Sequence, residues 1–129
     1  MIIGIGADLS DIRRIQKSLD RFGERFKQRC FTELERTRSD RKPDPAWSYA
    51  KRFAAKEAVL KVLRPSADDA VAWPQIMIRA DAHGAPRVEL RGTAARLARG
   101  AGLGAWSVST SHDGGFAMAV ALAIRSPQP

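Results

Sequence analysis

Thiol chemistry is nearly absent from this chain, which holds one cysteine, Cys30, in 129 residues. An internal disulfide is thereby excluded, as is a thiolate metal site, and the composition fits a reducing, cytoplasmic setting. Long apolar runs are missing too. None approaches the roughly 18 residues of a membrane span, so no membrane-spanning segment is expected. The opening stretch MIIGIGADL is short and lacks a basic leader, and it is not expected to act as a signal peptide. No internal repeat, low-complexity tract or linker breaks the chain, so one domain over 1–129 is the expectation. The GxxxxGK(S/T) phosphate loop, the GxSxG elbow and the HExxH helix are all lacking. GIGAD near the start has neither the third glycine nor the helix spacing of a dinucleotide turn.

Acids are the scarcer charge. Fourteen Asp and Glu face 22 Lys and Arg, a net charge of +8. Such a chain seeks polyanions: nucleic acid, phosphorylated cofactors, anionic membranes or acidic proteins. With 44% hydrophobic and 28% charged residues, it reads as a soluble globular protein rather than a disordered one.

The stretch Arg52-Phe53-Ala54-Ala55-Lys56-Glu57-Ala58-Val59-Leu60-Lys61 stands out. It lies in a run free of Gly and Pro from Ala46 to Arg64 and rich in strong helix formers. Ala46, Ala50, Phe53 and Leu60 fall near one face and predict a buried stripe. Glu57 lies along or beside that stripe, where a carboxylate needs a positive partner. Lys61, one turn on, is one candidate and a metal ion another. Taken alone, Glu57 and Lys61 are also an ordinary solvated i,i+4 pair.

In chain order, Met1 to Leu9 reads as a strand with β-branched Ile2, Ile3 and Ile5. Gly4 and Gly6 within it point to a close approach by a neighbour or ligand. Asp8 sits at its end, either poised for chemistry or capping the next helix, a job also open to Ser10. Asp11 to Phe22 is an amphipathic helix, with Ile12, Ile15, Leu19 and Phe22 inward and Gly23 as its stop. Arg14, Lys17 and Arg21, with Arg13 beside them, make a basic stripe. It is either a solvated face or a docking surface for an acidic helix or phosphate backbone. Phe26 and Phe31 read as core aromatics. Thr32 and Glu35 match a capping box, the mark of a helix start rather than a site.

Arg38 to Pro45 reads as an exposed loop, and Ser66 to Ala72 as another. Trp73 to Ala80 and Arg87 to Leu90 read as strands around a turn, with Gly84 free to take positive φ. Thr93 to Arg99 is a helix closed by Gly100. Trp106 to Thr110 and Phe116 to Ile124 are strands joined by a turn over Ser111-His112-Asp113-Gly114-Gly115, and the tail from Ser126 frays. The order predicts an α+β domain, its long central helix packed on a largely antiparallel sheet.

Asp113 beside His112 lacks a nucleophile, so Asp8 and Glu57 are the remaining option for the chemistry. Hard oxygen ligands suit Mg²⁺, which takes one or two carboxylates together with substrate phosphates. The surplus of Lys and Arg would hold the rest of a polyanionic cofactor.

These motifs resemble a known family. Gly4-Ile5-Gly6-Ala7-Asp8-Leu9 followed by Ile12-Arg13-Arg14-Ile15 forms the first. Phe53-Ala54-Ala55-Lys56-Glu57-Ala58 ending in Lys61 forms the second, the two acids lying 49 positions apart. Phe31 to Glu35, Trp73 to Ile76, Gly84 to Pro86 and Val108 to His112 follow in family order. The chain is similar over nearly its whole length to the small bacterial 4′-phosphopantetheinyl transferases of the holo-[acyl-carrier-protein] synthase type. Gln75, where the family often has an acid, and the Arg38 to Pro45 loop depart from the pattern.

The resemblance implies transfer of phosphopantetheine from coenzyme A to a serine of apo acyl carrier protein, with release of 3′,5′-ADP, in support of fatty acid biosynthesis. It implies Mg²⁺ on Asp8 and Glu57, and Lys61 steadying charge on the leaving phosphate. The serine proton goes to Glu57 or to a water on the metal. It assigns Gly84, Ala85 and Pro86 to the adenine side of coenzyme A, and Arg52, Ser111 and His112 to its ribose phosphate. It places carrier-protein contacts on Arg13, Arg14, Lys17 and Arg21, and expects a homotrimer with sites at the subunit interfaces. A basic nucleic-acid-binding module is the competing reading, though no recognised nucleic-acid-reading motif supports it. A catalytically silent carrier-protein binder is a third.

Overall fold

The computed structural model describes residues 2–126. Strand β1 (Ile2–Asp11) leads into helices α1 (Ile12–Phe22), α2 (Glu24–Cys30), α3 (Glu33–Asp40) and the long α4 (Pro45–Leu63). A 3-10 turn at Trp73–Gln75 precedes a hairpin of β2 (Ile76–Ala80) and β3 (Pro86–Leu90). Helix α5 (Gly92–Gly100) and a second hairpin, β4 (Leu103–Asp113) and β5 (Phe116–Arg125), complete the chain. One antiparallel sheet has the order β1-β5-β4, and β2 and β3 form a second. The expected α+β architecture, a long helix on antiparallel sheet, is the one the chain adopts. Among the described residues no helix is long and apolar enough to cross a membrane.

Several boundaries differ from expectation, each for a local reason. Asp11, rather than Asp8 or Ser10, caps α1, accepting a hydrogen bond from the Arg13 amide at 2.9 Å. Strand β1 runs on through Ser10, which pairs with Ala117. Gly23 does stop α1 at a φ of 54°, but the chain re-enters a helix at once, and α2 was not foreseen. The Thr32–Glu35 capping box forms, and α3 continues to Asp40, so the expected loop from Arg38 shrinks to residues 41–44. Pro74 sits in the first turn of the 3-10 segment, and the strand expected from Trp73 starts at Ile76. Ser111 and His112, expected in a hairpin turn, pair with Met118 and Ala117 inside the sheet, leaving only Gly114 and Gly115 for the turn. Met1 and the tail residues 127–129 lie outside the described residues.

Helix α4 is enclosed on more than one side. Ala50, Ala54, Ala55, Ala58 and Val59 are fully buried, while Phe53 and Leu60, expected at the centre of the stripe, are half-buried. Its C-terminal half packs against β5, β2 and α5, and its N-terminal half against Ile12, Ile15, Cys30 and Phe31. Small residues allow this closeness. On β1 the inward positions are Gly4, Gly6, Asp8 and Ser10, and opposite them on β5 stand the buried Ala123, Ala121, Ala119 and Ala117. A Cβ on Gly6 would overlap the Ala58 carbonyl oxygen, and one on Gly4 would come within 2.9 Å of a Val62 methyl.

Ionic side chains cover the free edge of β2, where a third strand would otherwise sit. Ile78 donates its amide to Glu35 Oε2 at 2.8 Å and accepts from Arg52 Nε at 3.1 Å. The Ile76 carbonyl accepts from Lys56 Nζ, which also donates to Glu35 Oε1 at 2.8 Å and to the Trp73 carbonyl at 3.2 Å. Both members of the Glu35–Lys56 pair are 0% exposed. An edge strand so satisfied offers no template to another chain. Removing one partner would strand a buried charge, a loss of about 3–5 kcal/mol.

Gly6→Ala should therefore destabilise the fold by about 3 kcal/mol, since a backbone carbonyl cannot rotate aside. Gly4→Ala should cost less, because the Val62 side chain can adjust. Urea denaturation of the two variants checks the order.

Candidate active site

Strand alternation and helix pitch bring the expected acids together. Asp8 shares the inward face of β1 with Gly6, and Glu57 stands on the α4 turn that this glycine admits. Lys61, one turn on, donates to Asp8 Oδ1 at 3.0 Å and to the Ala7 carbonyl at 2.7 Å. The lysine thus ties the helix to the strand through Asp8, rather than pairing with Glu57 along the helix. The Asp8 side chain is only 12% exposed, and among the described residues its buried Oδ2 has no hydrogen-bond partner. Burial first, then the Asp8 charge and a hydrogen bond shared with Asp8, push the Glu57 carboxyl up to about 7, while Lys61 pulls it down. Two carboxylates so placed hold either a proton or a cation between them. An orphaned hard oxygen beside a second carboxylate fits Mg²⁺, leaving its other positions for water and phosphate. Among the described residues no larger cluster of metal-ligating side chains occurs.

Glu57 opens into a cleft of about 380 Å³ formed with Ser10, Asp11, Arg14, Ile15, Ser18, Phe26 and Phe53. Ser18 and Phe26 also line an adjoining cavity of about 410 Å³, with Phe22, Arg25, Arg29 and Trp73 around it. Of the predicted docking residues, Arg14 faces the acid cleft. Arg13 is tied to the capping Asp11 at 3.2 Å, and Arg21 lies over the Phe22 ring at 5.2 Å. Lys17 is exposed on the same helix. Arg25 and Arg29 were missed, because their helix follows directly on a glycine that reads as a stop.

A second, basic groove lies elsewhere. Arg52, Lys51, Lys42 and Arg79 line one part of about 150 Å³, together with Gly84 and Pro86. Lys42, Ser48 and Lys51 continue into a wider part bounded by Trp47 and His112, whose rings meet edge to face at 4.5 Å. Arg52, Gly84, Pro86 and His112 are thus brought to one groove. Two predicted residues are not. Ala85 spends its amide and carbonyl on Asp81 within the turn, and Ser111 is paired in β4 and lines neither part. Lys42, Lys51 and Arg79 went unnoticed, since isolated basic residues carry no motif. Arg52 and Glu57 are five residues apart on α4, roughly 140° around the helix at 100° per residue. The acids and the groove therefore occupy nearly opposite faces of the same helix.

The chain is similar to known proteins over most of its length. Residues 4–121 match the 4′-phosphopantetheinyl transferase superfamily. Holo-[acyl-carrier-protein] synthase of Phenylobacterium zucineum is 60% identical over 96 residues, covering 74% of this chain and 70% of its own. That of Rhizobium leguminosarum bv. trifolii is 54% identical over 97 residues, covering 75% and 72%. The crystal structure of the Neisseria meningitidis synthase superposes with a TM-score of 0.86 at 31% identity, over 97% of this chain and 100% of that one. The Helicobacter pylori synthase, solved in complex with coenzyme A, gives 0.81 at 30% identity over 94% and 100%. The chain belongs to the 4′-phosphopantetheinyl transferase superfamily and is an enzyme of its holo-[acyl-carrier-protein] synthase class. The nucleic-acid-binding alternative finds no support among these relatives.

The contribution of Glu57 to stability is complete below the ordinary glutamate value of 4.5 and is lost as pH rises through about 7. Glu57→Gln removes that loss. The metal-free variant should melt a few degrees above wild type in mildly alkaline buffer, with the gap closing toward acid pH. Added divalent cation should raise the melting temperature of wild type more than that of the variant, as read by scanning calorimetry.

Proposed function

We propose that this enzyme transfers 4′-phosphopantetheine from coenzyme A to a serine hydroxyl of apo acyl carrier protein in the cytoplasm, supplying fatty acid biosynthesis. The observation that carries the reading is the convergence of Asp8, Glu57 and Lys61 across β1 and α4, with Asp8 Oδ2 buried and unpartnered.

Asp8 and Glu57 would hold Mg²⁺, which when bound offsets the charge of the coenzyme A diphosphate and makes its phosphorus a better electrophile. Glu57 lines the cleft into which the carrier serine must reach, which sets a carboxylate oxygen where the serine proton must leave. The serine oxygen bonds to the phosphorus as the bond to the 3′,5′-ADP phosphate breaks. Lys61 meets the charge arriving on that leaving phosphate. Arg14 at the cleft rim, with Lys17 and Arg21 along α1, suits the acidic recognition helix of a carrier protein.

Coenzyme A is the co-substrate, its nucleotide taken by the groove of Lys42, Lys51, Arg52 and Arg79. Since acids and groove face apart on α4, one coenzyme A reaches both when adjacent subunits each supply half a site. The outer face of the three-stranded sheet supports that assembly. Ile5 is 66% exposed and Leu9 60%, and Met118, Phe116 and Ile124 extend the same apolar surface. A monomer rarely leaves such a face open, and a second and third copy of this chain would cover it.

Incubation with coenzyme A, Mg²⁺ and an apo carrier protein tests the activity: the carrier should gain the mass of one phosphopantetheine. Asp8→Ala should abolish the gain while leaving circular dichroism unchanged, and wild-type turnover in that variant would overturn the two-acid mechanism. Ile5→Asp should yield monomers in light scattering and lose transfer along with assembly. An Ile5→Asp monomer of full activity would refute the shared site.

A further inference from the structure

We infer that Glu35, Lys56 and Ser39 are positioning residues for Arg52, holding its guanidinium and the edge of β2 as one rigid unit that receives the coenzyme A phosphate. The inference rests on the coenzyme A reading of the basic groove and goes one layer deeper into the protein. Arg52 lines that groove with its inner edge already engaged. Nε donates to the Ile78 carbonyl at 3.1 Å, and Nη1 donates to Ser39 Oγ and Ser48 Oγ at 2.9 Å each. Among the described residues no protein acceptor takes Nη2 of this planar fork.

Each acceptor is itself fixed. Ser39 and Ser48 share a hydrogen bond of 2.8 Å in the core. Ile78, which holds Arg52 by its carbonyl, is held by its amide on Glu35 Oε2 at 2.8 Å. Glu35 Oε1 accepts from the Thr32 amide and from Lys56 Nζ, both at 2.8 Å, and Lys56 reaches on to the Trp73 and Ile76 carbonyls. Glu35 and Lys56 are completely buried and cannot touch a ligand, so any effect on binding passes through Ile78 and Arg52. A buried ion pair is a weak source of stability compared with apolar packing. What this one supplies is orientation. A free arginine loses much rotamer entropy when it captures a phosphate, and one whose inner edge is already fixed loses little.

Adenosine 3′-monophosphate serves as the probe, since it fills the groove without reaching the acids. Its affinity for the intact oligomer is read by calorimetry well below each variant's melting temperature. Glu35→Gln/Lys56→Met removes both charges together, and Ser39→Ala removes one acceptor and leaves the pair intact. The double variant should bind the probe about tenfold more weakly, the cost of ordering one rotamer-rich side chain on binding, and Ser39→Ala a few-fold more weakly. KM for coenzyme A should rise in step while kcat at saturation is nearly unchanged. Adding Arg52→Gln to the double variant should weaken binding no further than Arg52→Gln alone. Wild-type affinity in Ser39→Ala and in the double variant, or losses additive with Arg52→Gln, would overturn the inference. If the double variant does not fold, Ser39→Ala decides. If Arg52→Gln itself binds the probe like wild type, the coenzyme A reading of the groove fails and this inference falls with it.

Discussion

Asp8 and Glu57 meet because helix α4 lies close against β1, where Gly4 and Gly6 put no side chain of the strand between them. Gly6 faces the Ala58 carbonyl, and any larger residue there would drive helix and strand apart. The same contact sets Lys61 over Ala7 and Asp8. Packing thus forces two carboxylates into proximity that their charges oppose. Burial, and after it the Asp8 charge, raise the Glu57 carboxyl to about 7. Such closeness costs local stability in the ion-free protein, a cost that falls when either carboxyl is protonated.

Helix α4 distributes function around its circumference. One face carries the acids, another the anchored Arg52, and between them Lys56 runs into the core to meet Glu35. The two faces diverge, so a single chain presents the acids and the basic groove in different directions. The chain's surplus of positive charge divides likewise between the α1 and α2 flank of the acid cleft and the groove beside Arg52.

Much of this was legible in the sequence where a residue's role is local. The Thr32–Glu35 box, the stop at Gly23 and the positive φ of Gly84 follow from short-range hydrogen bonding and backbone sterics, and all appear in the structure. The paired acids were legible because a carboxylate beside an apolar stripe demands an explanation. Other features depend on distant partners. Glu35 reads as a cap and is one, yet its other oxygen holds Ile78, 43 positions on. Lys56 carries no local signal beyond helix propensity, and its burial depends on β2 and α3, which enclose it. Helix α2 was hidden behind Gly23, and Ser111 was assigned to a turn because the strand signal around it is polar.

Alanine recurs along the inner face of β5, at 117, 119, 121 and 123, against glycines on β1 and alanines on α4. Such a seam has almost no side-chain atoms left to delete. Its tolerance to genetic change is therefore one-sided: ordinary cores suffer mainly from truncation, whereas here harm comes from growth, even by a single methyl. Codons at these positions are expected to drift among glycine, alanine and serine and little further, so the region most intolerant of enlargement also looks, by composition, the least distinctive.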